Sequence, residues 1–171
     1  MSEYRLTYST TEDRLLLSIG NEQQAIALTR RLTRGLLKAL AKTVAQQKAN
    51  TSVNNEAVRN TILNFEHSKA VTEAFADGTV RREKSKPTKA AAPKLATAVD
   101  IIGKKKGGAT LVFKGDGEPA SLALDSRGIY LLISTILEIM VNAEWDFPQI
   151  ASWLEPVSPR AQEPQPTKVI H

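Results

Sequence analysis

The chain has 171 residues, a net charge of +5 and no cysteine, which excludes disulfides, thiolate metal sites and a cysteine nucleophile. Its length suits one domain, or two small units sharing a core, and a 42% hydrophobic fraction is enough to fill that core. The most apolar run, residues 129–141, is broken by Glu138 and falls short of the ~20 residues of a membrane span, while the polar N-terminus lacks signal-peptide character, so the expected location is cytoplasmic.

In chain order, YRLTYS (4–9) alternates as a strand and TTED supplies a turn. RLLLSIG (14–20) returns as a second strand, and AIALT (25–29) makes a third. Thr29 is placed to cap a helix whose Leu32, Leu36, Leu40 and Val44 recur at helical spacing. A second helix is expected over 54–76, capped by Ser52 or Asn54, with Val58, Ile62, Phe65 and Val71 as its apolar side. Residues 79–95 read as a basic flexible linker rich in Lys, Ala and Pro, dispensable for folding. Residues 96–102, 108–115 and 120–125 then read as three strands, and a helix follows from about Ser126 to Asn142 behind the cap Asp125. Pro148 points to a short helix before a Pro-rich tail.

The two halves correspond at a constant spacing of 96 residues: Leu15 with Leu111, Leu17 with Phe113, Thr29 with Asp125, Arg31 with Arg127 and Leu40 with Ile136. The fold class expected is therefore α+β, an internally duplicated β-β-β-α unit with an antiparallel sheet and a packed helix in each copy. An extra helix and the basic linker lie between the copies. The units run over 1–48 and 96–155, with a connecting helix in 49–78, the linker in 79–95 and a disordered tail in 156–171.

Several short motifs fit no chemistry. GDGEPA (115–120) matches a phosphate-loop pattern, but a strand follows it and Pro119 lacks an N–H, so it reads as a hairpin turn. His67 has no triad geometry and reads as a surface or rim residue. Glu12 with Asp13, and Glu144 with Asp146, read as solvated charge. No catalytic residue, metal ligand, cofactor or small-molecule substrate is expected.

What remains is binding. Residues 1–78 hold 10 basic and 8 acidic side chains, 79–108 hold 9 and 2, and 109–171 hold 4 and 8, so the basic charge is concentrated in the middle. Two readings follow. In the first the chain is a non-catalytic protein–protein adaptor or assembly module whose partner is another protein or, as a homodimer, itself. Its second long helix is apolar nearly all round and needs cover on several sides, which places Tyr130, Ile133, Leu137, Trp145 and Trp153 at the interface and Leu132 and Ile136 in the core. In the second the chain binds single-stranded DNA or RNA without sequence preference on a free sheet face. Arg30, Arg31, Arg34, Lys38 and Lys42 of the first helix, Arg81 and Arg82 of the linker, and Lys104, Lys105 and Lys106 would supply the charge.

Overall fold

The computed structural model describes residues 4–20, 24–49, 55–78, 92–105, 107–146 and 150–154. It is a mixed α+β fold of six strands and three helices. In chain order these are β1 (Tyr4–Ser9), β2 (Arg14–Ile19), β3 (Gln24–Thr29), α1 (Arg30–Ala49), α2 (Glu56–Ala76), β4 (Lys94–Gly103), β5 (Ala109–Gly115), β6 (Ala120–Leu124) and α3 (Ser126–Asn142).

The strands that alternation marks out all form, and 96–102 lies inside β4, paired along β5. The two expected caps also hold. Leu32 N–H donates to Thr29 Oγ1 at 3.2 Å and Gly128 N–H to Asp125 Oδ1 at 2.6 Å, which satisfies amides that have no partner inside their helices. The cap of α2 is Asn55, in place of the expected Ser52 or Asn54, which lie outside the described residues; Asn55 Oδ1 accepts from Ala57 N–H at 2.9 Å.

The arrangement differs from two separate small sheets. All six strands make one sheet in sequential order, joined by the parallel pair β3–β4. That seam is two residue pairs long, Ile26 with Lys94 and Ala27 with Leu95. Lys94 and Leu95 thus belong to the sheet, where the sequence reading had them in a dispensable linker. A bulge between Ala96 and Ala98 follows at once, and bulges add bend and twist. The sheet curls enough for α3 to pack against both edge strands, β6 and β1.

Chain order repeats strand-strand-strand-helix, but pairing does not keep the constant spacing. Leu15 pairs with Leu28, whereas Leu111 pairs with Leu122. Leu15 also pairs with Tyr8 and Leu111 with Ile101, which makes the β4–β5 hairpin three residues longer than β1–β2. The β2–β3 and β5–β6 registers differ by an even number of residues, so the same apolar positions still face inward.

One core lies between the concave sheet face and the helices. Leu15, Leu17, Leu28, Leu111, Leu122 and Leu124 come from the strands, Leu37 and Leu40 from α1, and Leu132, Ile133 and Ile136 from α3. Burial of Leu132 and Ile136 is as the helix pattern requires. The opposite sheet face mixes hydroxyl side chains such as Thr7, Ser18, Thr110 and Ser121 with Leu16, Val112 and Ile102. After α3, residues 150–154 form a turn closed by Leu154 N–H to the Ala151 carbonyl; the start of the expected short helix, at Pro148, lies outside the described residues.

Among the described residues no helix is long and apolar enough to cross a membrane.

Candidate functional site

α1 departs furthest from what a helix needs for its own stability. It carries Arg30, Arg31, Arg34, Lys38, Lys42 and Lys48 and no Asp or Glu. It opens on two arginines where the helix macrodipole favours anions. Arg30 with Arg34, Arg34 with Lys38 and Lys38 with Lys42 stand four residues apart, and such like-charge pairs cost about 0.2–0.5 kcal/mol each.

The fold compensates some of these charges. The Arg30 guanidinium donates to Asp13 Oδ2 at 3.0 Å and lies 5.3 Å from the Trp145 ring centroid, a cation–π position. Arg34 is half-buried and interacts within the chain. Lys48 pairs with Glu66 at 2.6 Å. Arg31, Lys38 and Lys42 are exposed and take part in none of the ion pairs between described residues. These three lie on one side of the helix and span about 16 Å along it. Gly35 sits among them, exposed, with no atom within 4 Å of where a Cβ would stand. Packing therefore does not require a glycine there, although glycine inside a helix costs roughly 0.5–1 kcal/mol.

A second basic element adjoins the far end of α1. Lys104 and Lys105 are exposed at the β4–β5 tip. The tip is closed by Lys104 N–H to the Gly108 carbonyl, and Gln47 Nε2 of α1 donates to that same carbonyl at 2.8 Å. Gly108 has φ +88°, and a Cβ on it would stand 2.4 Å from the Leu124 carbonyl oxygen, so only glycine fits. The three extra residues of this hairpin thus present lysines at a fixed place beside α1. Arg81, Arg82 and Lys106 lie outside the described residues.

The aromatic side chains are elsewhere. Phe113, Tyr130, Trp145 and Trp153 are core, and Tyr4 and Tyr8 are half-buried against it. The exposed ones, Phe65 and Phe75, are on α2. Phe147 lies outside the described residues; among those described, the open sheet face offers no ring for a base to stack on, and stacking is what single-strand platforms use.

The residues expected at a protein interface are covered within the chain. Tyr130, Ile133, Trp145 and Trp153 are at most 5% exposed, and Leu137 packs half-buried on the core. α2 and the 150–154 turn supply the cover. Tyr130 donates to Glu66 Oε2 at 2.9 Å, and Asn64 Nδ2 donates to the Trp153 carbonyl at 3.1 Å.

Asp13 is exposed, as expected, yet fully engaged by donors, while His67 is not the surface or rim residue expected. Asp13 accepts from Tyr8 Oη and Trp145 Nε1, each at 2.7 Å, as well as from Arg30. Those bonds, Tyr8 foremost, hold its carboxyl below the usual aspartate range. His67 is fully buried between Tyr130 and Trp153, with no hydrogen-bond partner on either ring nitrogen. Burial pushes its pKa from 6.5 down to about 4, so the ring is neutral.

A pocket of about 70 Å³ opens at the β3–β4 seam, with Ile26, Leu95 and Phe113 in its wall and Lys94, Asp116 and Glu118 at its polar rim. That is room for about two waters, far below a cofactor-sized cavity. No cluster of three metal-ligating side chains occurs among the described residues.

Sequence reasoning missed the outward face of α2. Val58, Ile62 and Phe65, expected to point inward, are 46%, 37% and 66% exposed. Of the expected apolar side only Val71 faces inward, together with Leu63, His67, Ala70 and Ala74. The helix has two apolar sides, and the one with Ala70 and Ala74 admits the closer approach to α3. Small residues at a four-residue spacing were the signal available in the sequence.

No protein-family model, curated protein or solved structure matches the chain.

Proposed function

We propose that this protein is a non-catalytic nucleic-acid-binding module that holds the phosphate backbone on the exposed cationic side of α1, continued by the lysines of the β4–β5 tip. The observation that carries the reading is the set Arg31, Lys38 and Lys42. They are exposed and uncompensated, on a helix that carries no acid, around a glycine with open space in front of it. A helix that gives up stability at several positions without a packing reason is expected where a ligand supplies the counter-charge. Phosphates are such a ligand, and contacts of this kind position the protein without reading sequence. A sheet face without aromatic rings among the described residues argues against base stacking, so the backbone is the target whether the strand is single or paired.

The test is an anisotropy titration of the intact chain with labelled duplex and single-stranded oligonucleotides over a range of salt. Binding should weaken linearly in log salt. Replacing Arg31, Lys38 and Lys42 together by Ala should flatten the slope by about 2–3 for duplex, since each lost phosphate contact removes about 0.9. Equal affinity and slope in the triple variant would remove α1 from the site.

The two strand-strand-strand-helix stretches also support descent from one duplicated unit, with the lysine-bearing β4–β5 hairpin as a later divergence. Shared cap positions, Thr29 and Asp125, favour it; the registers differ between the two stretches, which a duplication would have to accommodate.

The protein–protein reading keeps one specific observation in its favour, the exposed apolar stripe of α2.

A further inference from the structure

We infer that α2 is a self-association surface: Val58, Ile62 and Phe65 pack antiparallel on the same residues of a second copy, with Arg59 of each helix against Glu66 of the other. The inference stands apart from nucleic-acid binding and uses a different face.

The exposed side of α2 has the spacing of a coiled-coil seam. Val58, Ile62, Phe65 and Lys69 follow one another at intervals of four, three and four residues, and all are exposed. The opposite side of the same helix is already buried on α3 and the 150–154 turn, so the seam points away from the molecule. Val58, Ile62 and Phe65 form one contiguous apolar strip on it.

Charge decides the occupant and its direction. Along one flank of the seam run Arg59, Glu66 and Glu73, seven residues apart. In an antiparallel pair like flanks face each other, so a register that sets Ile62 on Phe65 also sets Arg59 on Glu66, twice by symmetry. Lys69 then lies across from Val58, where its methylene stem covers the valine and its ammonium reaches water. A parallel pair would instead set Lys69 against Lys69, a like-charge contact in the seam. Arg59 and Glu66 already hold partners inside the chain, Glu66 with Lys48 and Tyr130. Glu66 is still 31% exposed, so the pairs across the axis add to those bonds. The strip is short, so the dimer is weak and dependent on concentration. Three apolar side chains from each copy are far fewer than the roughly 20–30 residues a side of a standard interface.

The chain has no cysteine, so single-cysteine variants report the geometry without background. In the antiparallel register the two copies of residue 65 are offset by about 4.5 Å along the axis, and those of residue 58 by about 16 Å. A disulfide needs Cα atoms within about 7 Å. Ile62→Cys and Phe65→Cys should therefore cross-link on mild oxidation, and Val58→Cys should not. Sedimentation of the unmodified chain over about a hundredfold range of concentration should show a monomer–dimer equilibrium. Phe65→Ser, at an exposed position, should weaken it about tenfold or more, with the melting temperature unchanged. A monomer at every concentration, a dimer indifferent to Phe65→Ser, or Val58→Cys cross-linking as readily as Phe65→Cys would each overturn the inference. None of these outcomes bears on the oligonucleotide titration.

Discussion

Trp145 donates its indole N–H to Asp13 at 2.7 Å, across 132 residues of sequence. The bond ties the β1–β2 turn to the segment after α3. Tyr8 meets the same Trp145 edge-on at 5.7 Å, and Arg30 covers its ring. Asp13 adopts φ +51°, an uncommon backbone state for a residue with a side chain, and its three donors hold it there. One carboxylate thus fastens the first strand pair, the start of α1 and the end of α3.

That latch makes a prediction for acid. The folded-state carboxyl of Asp13 lies below its ordinary value of 3.8, first through Tyr8 and then Trp145. A depressed carboxyl contributes stability above the unfolded value and loses it as pH falls through the folded one. Asp13→Ala should therefore lower the melting temperature at pH 7. The gap between variant and parent should narrow as pH drops below about 4. Melting curves at a series of pH values check this, and a gap that stays constant to the lowest pH would refute it.

His67 acts in a different window. It is neutral when folded, with a pKa near 4, and protonates near 6.5 when unfolded. Below 6.5 the unfolded chain binds the extra proton, so stability falls between about pH 6.5 and 4 by on the order of 3 kcal/mol. His67→Leu should abolish that slope. It should also stabilise the protein at neutral pH by about 1–3 kcal/mol, because two buried nitrogens without partners are removed. Denaturant unfolding at pH 5 and pH 7.5 is the measurement. A histidine that holds the fold together would give the opposite sign.

Gly35→Ala separates fold from function on α1. The new methyl meets no atom, so the gain is the difference in helix propensity, about 0.5–1 kcal/mol. A higher melting temperature is expected, and with it a test of whether the open space matters, since oligonucleotide affinity is read on the same variant. A loss of stability would mean that Gly35 has a packing role.

The strands, the two helix caps and the burial of Leu132 and Ile136 on α3 were legible in the sequence, because each depends on neighbours a few positions away; Tyr130 and Ile133, expected at an interface, are core as well. Alternation set β1, β2, β5 and β6. Thr29 and Asp125 marked the helix starts, and the run of leucines marked the inward side of α1. The cationic character of α1 was legible too, though which of its charges were spent on Asp13 and Trp145 was not.

Local pattern by itself determined the elements and their apolar positions; tertiary structure decided what those elements face. α2 has two apolar sides of similar weight, and only contact with α3 chose the one holding Ala70 and Ala74, which left Val58, Ile62 and Phe65 outside. The same holds for His67, whose burial follows from that choice. It holds as well for the seam, where two residue pairs between β3 and β4 turn two expected sheets into one. Periodicity reports how a segment could bury a face, while the partner that makes one burial more favourable than another is set by packing between segments far apart in the chain.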